Sequence, residues 1–83
     1  MEVAMSLVAR IDSPESLGRA IEQARLLRGL SQRELARMLG TDQKYVWELE
    51  NGKSTVAIQR LLRASDLLGV TLLAELDEKG TDQ

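Results

Sequence analysis

Residues 30–53 read Leu30-Ser-Gln-Arg-Glu-Leu-Ala-Arg-Met-Leu-Gly-Thr-Asp-Gln-Lys-Tyr-Val-Trp-Glu-Leu-Glu-Asn-Gly-Lys53, and this stretch decides the fold. Ser31 and Glu34 stand at capping-box spacing, so each side chain satisfies the other's orphan amide and a helix opens there. The pattern turns Leu35, Ala36 and Leu39 inward, and Gly40 stops the helix because the chain must reverse through positive φ. Thr41 is expected to cap the next helix, which runs to about Glu50 with Val46 and Leu49 facing the core. Asn51-Gly52 then signals a turn. The two short helices must cross steeply. That crossing needs a small side chain where the backbones approach (Ala36), a glycine at the turn and two apolar anchors beyond it, the spacing of a helix-turn-helix.

The flanking sequence continues a helical domain. Upstream, Asp12-Ser13-Pro14-Glu15 offers a cap and a pre-set φ at the first helical position. Leu17, Ala20, Ile21, Ala24 and Leu27 then recur at helical spacing until Gly29. Downstream, a helix is expected from about Thr55 to Leu68, with Ile58, Leu61, Leu62 and Leu68 on its buried stripe and Gly69 at its end. Val70, Leu72, Ala74 and Leu76 alternate with Thr71, Leu73 and Glu75 as in a strand. A weaker alternation of Leu7, Ala9 and Ile11 suggests a strand within residues 3–11. These signals divide the chain into an N-terminal extension (1–12), a helix-turn-helix domain (13–69), a strand (70–76) and a flexible tail (77–83).

The chain has 83 residues with no cysteine and no histidine. Disulfides, zinc fingers, thiolate chemistry and imidazole-based catalysis are thereby excluded. A domain of this size buries only ~60% of its unfolded surface and gains from dimerisation. No apolar run approaches the ~20 residues of a membrane span, and Met1-Glu2-Val3 lacks the basic start of a secretory signal, so a cytoplasmic location is expected. The net charge of −2 is unevenly spread: residues 18–63 hold nine basic and five acidic side chains, and the acidic excess lies in the flanks. A basic middle between acidic ends points to a local anion-binding face.

The run from Leu30 to Lys53 resembles the XRE/Cro–cI family of repressors, and the likeness extends over roughly residues 15–69. The resemblance implies a mainly α fold, a four-helix lambda-repressor-like domain. The terminal strand, where most members have a fifth helix, is similar to that of HipB-type antitoxins, dimeric repressors that bind a HipA-like kinase toxin. The partners implied are a palindromic double-stranded operator, a second copy of the chain and such a toxin; no cofactor or metal is implied. In this family geometry the helix after Thr41 lies in the major groove, where each base pair presents its own donor and acceptor pattern. Thr41, Asp42, Gln43, Lys44 and Trp47 are then the base-contacting candidates. A carboxamide at Gln43 can pair bidentately with adenine, while Lys44 either reads guanine or holds a phosphate. Trp47 either faces DNA or folds into the core, and Tyr45 is read as a packing residue. Gln32 matches the family position that bonds a phosphate beside free helix amides, with Arg33 next to it. Asn51 and Lys53 fall where a second phosphate clamp is expected. Arg25 and Glu50 match positions that form an internal ion pair.

Val70, Leu72, Ala74 and Leu76 form an apolar strand face with no obvious hairpin partner after it. An unpaired strand is a template for another chain, so these four residues are expected in a dimer interface, with residues 3–11 as outer strands. Catalysis finds no support. Glu48 and Glu50 point about 200° apart on a helix and cannot share a substrate. No glycine-rich phosphate loop or nucleophile elbow is present either. The alternatives to an antitoxin are a stand-alone or phage-type regulator, or an interaction module that kept the fold but lost DNA binding.

Overall fold

In the computed structural model, which describes residues 6–77, the order of elements is β1 (Ser6–Ile11), α1 (Pro14–Leu27), α2 (Gln32–Leu39), α3 (Gln43–Glu50), α4 (Val56–Leu67) and β2 (Leu72–Asp77). Local chemistry sets the helix starts. Ser13 caps α1 through a box with Ser16, whose own hydroxyl accepts from the Ser13 amide at 3.1 Å, and Pro14 occupies the first turn. The Ser31 hydroxyl accepts from the Glu34 amide at 3.0 Å, and the Glu34 carboxylate accepts from the Ser31 amide at 2.8 Å.

Gly40 ends α2 at φ 77°, which lets the Thr41 amide donate back to the Ala36 carbonyl at 2.9 Å. The cap of α3 is therefore Asp42, not Thr41 as the sequence suggested. Thr41 is engaged in closing the preceding helix, and the Asp42 carboxylate accepts from the Tyr45 amide at 2.9 Å.

Ala36 and Val46 seal the contact between α2 and α3, and Val46 is fully buried. Helix α1 crosses the C-terminal end of α3 at Gly18. A Cβ on that residue would lie 2.5 Å from the Leu49 carbonyl oxygen and 2.6 Å from that of Glu50. Nothing in the sequence set Gly18 apart from an ordinary helix-weakening glycine, because its neighbours come from 31 and 32 residues away.

The two strands pair antiparallel within the chain, Ser6 opposite Asp77 through Ile11 opposite Leu72. This corrects the expectation that the terminal strand lacks a partner in its own chain. It also shortens the strand at its start, since Val70 and Thr71 precede it, and takes in Asp77, which the sequence pattern assigns to the tail. Residues 3–5 of the suggested N-terminal strand and 78–83 of the suggested flexible tail lie outside the described residues. Leu72, Ala74 and Leu76 face inward with Ile11, over a core of Ile11, Ala20 and Leu62 to which Leu17 and Ile58 add. The sheet thus clasps the start of the described chain to its end and lies on α1.

Three leucines depart from the expected burial. Leu39, Leu61 and Leu68 are 55%, 58% and 78% exposed. Helical period placed them on the apolar side, but α2 and α4 bury only narrow stripes because few elements pack on them.

Gly18 yields an inverted sign. A mid-helix Gly→Ala exchange ordinarily stabilises by about 0.5–1 kcal/mol. Here the methyl meets backbone carbonyls, so Gly18→Ala is expected to destabilise by about 1–3 kcal/mol or more in denaturant unfolding. A gain in stability would show that α1 does not approach α3 this closely.

Candidate nucleic-acid interface

The outward face of α2 and α3 is built up from a buried charge pair. Glu50, at the C-terminal end of α3, has a side chain only 1% exposed. Arg25 of α1 meets it with two hydrogen bonds, Nε to Oε2 at 2.6 Å and a terminal guanidinium nitrogen to Oε1 at 3.1 Å. The other terminal nitrogen donates to the Leu30 carbonyl at 2.8 Å, fixing the connection into α2. Burial acts to raise the Glu50 carboxyl. The hydrogen bonds from Arg25 and Gln32 and the attraction of Arg25 outweigh it, and hold the group below the usual carboxylate range. Arg25 is correspondingly held above its ordinary value by its hydrogen bonds to Glu50.

From Glu50 a chain of amides leads to the surface. Gln32, the first residue of α2, donates its Nε2 to Glu50 Oε1 at 3.0 Å. Gln43, the first residue of α3, donates its Nε2 to Gln32 Oε1 at 3.3 Å. The polarity of this relay follows from chemistry: an ionised carboxylate only accepts, so Gln32 must turn its nitrogen inward and its oxygen outward. Gln43 then offers Gln32 a nitrogen. Its carbonyl oxygen and second N–H remain free, the donor–acceptor pair that matches the N6 and N7 edge of adenine.

The other predicted residues surround this point. Arg25, Ser31, Gln32, Arg33 and Gln43 line one shallow concavity at the start of α2. Lys44 and Thr41 are exposed, and Trp47 is half-exposed and stands out of the core. Asp42 commits one carboxylate oxygen to its cap. Asn51, just past α3, donates its side-chain nitrogen to the Trp47 carbonyl at 2.8 Å. Lys53 is 3.6 Å from Glu48, an exposed pairing of small energetic weight. Tyr45, read as a packing residue, is half-exposed beside the start of α1 and α4.

Val70, Leu72, Ala74 and Leu76 do not share one surface: Leu72, Ala74 and Leu76 turn into their own chain and Val70 is half-exposed. The outward apolar residues of the sheet are Val8 and Leu73. Among the described residues no cluster of acidic side chains could hold a metal ion, and no helix is long and apolar enough to cross a membrane.

Two short helices joined by a glycine turn, with polar side chains presented outward from the second, define a helix-turn-helix module. Residues 21–74 match the model of the Helix-turn-helix family, and the chain belongs to that family, of XRE/Cro–cI type. It is by class a DNA-binding regulator rather than an enzyme family. No curated protein and no solved structure matches the chain.

The depressed Glu50 carboxyl predicts how acid acts on the fold. Unfolded, Glu50 titrates near the ordinary ~4.3; folded, it titrates lower. Its stabilisation is therefore fully present above the unfolded value and is lost as pH falls from there through the folded one. Glu34, held low first by its backbone and then its side-chain bonding with Ser31, acts in the same direction. Denaturant midpoints measured from about pH 7 to about pH 3 should fall in this window, and Glu50→Gln should start lower and fall less. An acid limb unchanged in Glu50→Gln would remove this group as its cause.

Proposed function

We propose that this chain is a sequence-specific transcriptional repressor that binds a palindromic double-stranded operator as a homodimer, with α3 in the major groove. The observation that carries this reading is the relay from Arg25 through Glu50 and Gln32 to Gln43. A hydrogen-bonded amide at the start of α3, with one donor and one acceptor left over, is a pre-oriented base reader. Lys44, Thr41, Asp42 and Trp47 flank it as further base contacts. Arg33 and the free amides at the start of α2 hold one phosphate, while the side chain of Gln32, expected there from the resemblance, is committed to the relay with its nitrogen turned inward. Asn51 and Lys53 hold a second, Lys53 exchanging Glu48 for the phosphate.

Gln43→Ala should cost about 1–3 kcal/mol on the cognate operator and relax selectivity at one base pair. Arg33→Ala should weaken cognate and random DNA alike and flatten the salt dependence. For a dimer neutralising about six to eight phosphates, the slope of log K against log salt is about −5 to −7. A slope near zero by fluorescence anisotropy would end the DNA-binding reading and leave the interaction module.

The proposed palindromic operator calls for a dimer, since its half-sites lie ~34 Å apart and one chain offers a single recognition helix. With Leu72 packed into its own core, the surface that supports self-association is the exposed apolar set Leu67, Leu68, Val70 and Leu73, where α4 leads into β2. Leu73→Asp is expected to give folded monomers in sedimentation velocity and to lose operator binding. A dimeric Leu73→Asp protein would place the interface elsewhere.

The terminal strand, in place of the family's usual fifth helix, supports a narrower reading as a HipB-type antitoxin that neutralises a HipA-like kinase toxin and represses its own operon. A kinase-like reading frame adjacent in the genome tests that reading, and its absence leaves a stand-alone regulator.

A further inference from the structure

The hydrogen bonds among Arg25, Glu50, Gln32 and Gln43 have a direction as well as a length. Glu50 Oε2 takes the shortest contact, 2.6 Å from Arg25 Nε. Its Oε1 serves both an Arg25 terminal nitrogen at 3.1 Å and Gln32 Nε2 at 3.0 Å. Burial opposes ionisation of this carboxyl, but the bonds from Arg25 and Gln32 prevail, so the group is charged and only accepts. Gln32 therefore presents Oε1 outward, and Gln43 meets it with an N–H at 3.3 Å. One N–H and the carbonyl oxygen of Gln43 are left for a base. Adenine shows an amino donor and the N7 acceptor in the major groove and fits that pair. Guanine shows two acceptors, N7 and O6, and one of them would face the Gln43 oxygen.

We propose that Glu50 is a positioning residue that makes Gln43 select adenine over guanine. The inference rests on the DNA-binding function proposed above, and adds to it the base and the group that chooses it. Glu50 is too deep to touch DNA, with a side chain only 1% exposed. Its influence travels through two carboxamides. Each has one donating and one accepting end, so each transmits an orientation.

Glu50→Gln reverses that orientation. The oxygen of the new carboxamide belongs in the place of Oε2, since a nitrogen there would face the Arg25 Nε–H across 2.6 Å. Its nitrogen then replaces Oε1, giving up only the longer 3.1 Å contact, and donates to Gln32. Gln32 turns its own nitrogen outward, Gln43 receives it with the carbonyl oxygen, and two N–H donors remain for the base. Two donors fit the two acceptors of guanine. Gln32→Met keeps the side-chain length but carries neither donor nor amide acceptor. It cuts the relay, leaves the Arg25–Glu50 pair in place and frees Gln43 to read either purine.

Duplexes selected by the wild-type chain from a randomised pool are the probe, with each base in turn at the position whose preference Gln43→Ala erases. Fluorescence anisotropy should show the wild type preferring adenine to guanine there by about 5- to 100-fold. In Gln32→Met the ratio should fall toward one. In Glu50→Gln it should shift toward guanine by about 10-fold or more, whatever the change in overall affinity. A merely structural Glu50 would weaken all four duplexes alike, and an unchanged ratio in both variants would overturn the proposal. Should Glu50→Gln fail to fold, Gln32→Met decides, and a preserved ratio there counts against the relay. A Gln43→Ala protein that keeps every preference, or a wild type that prefers guanine at this position, would also overturn it. Side-chain amide NMR reads the relay without DNA: the Gln32 Nε2 protons should lie downfield in the wild type and move upfield in Glu50→Gln. A protein with that signature that binds no duplex at low salt would end the repressor reading, and the base choice with it, while leaving the relay standing. Adenine preference without the signature would overturn the relay alone.

Discussion

The interaction on which the rest depends is the paired contact of Arg25 with Glu50. It joins three helices at one point: Arg25 from α1, Glu50 from α3, and the Leu30 carbonyl at the entrance to α2. A charge pair this deep carries a large desolvation penalty, and replacing both partners by apolar groups is often no worse for stability. Its value here is directional. An apolar contact would hold the helices together but would leave the amide of Gln32 free to present either end. The carboxylate allows one orientation only, and that orientation passes to Gln43 at the surface. Core electrostatics and the donor–acceptor pattern at the start of α3 are thus one continuous structure.

Around that point the domain is thin. Among the described residues only Ile11, Ala20, Ala36, Val46, Leu62 and Leu76 are buried apolar side chains, whereas many large ones remain exposed along α4 and the outer sheet. The two-stranded sheet compensates by bringing distant parts of the chain over α1, so that β1 and β2 supply apolar cover that the helices cannot supply for each other. A two-stranded ribbon is marginal by itself, and packing on a helix is what makes it stable. The exposed leucines where α4 leads into β2 are the surface that such a small core leaves uncovered.

The order and type of the helices were legible because their signals are local. Ser31 and Glu34 identify the start of α2 within four residues, Gly40 marks its end, and Ala36 with Val46 states the steep crossing. Errors arose where one residue could serve two neighbouring elements. Thr41 and Asp42 are both good caps, and the choice fell to Asp42 because the Thr41 amide is bonded back to Ala36. Periodicity likewise overstated burial for Leu39, Leu61 and Leu68, since a pattern reports which face a residue takes and not whether anything packs on that face.

What the sequence by itself determined is the helical module, its glycine turn and the outward set of polar residues on its second helix, because capping and side-chain period act over a few residues. Tertiary structure alone decided the rest. It paired the terminal strand with residues 6–11 rather than leaving it open, since a strand's partner is chosen by whichever edge folding brings alongside. It made Gly18 indispensable through carbonyls far away in the chain. It also linked Gln43 through Gln32 to the buried carboxylate of Glu50; the resemblance implied the pairing of Arg25 with Glu50, but not that residues 32 and 43 join it, because only the crossing of the helices brings those amides within hydrogen-bonding distance.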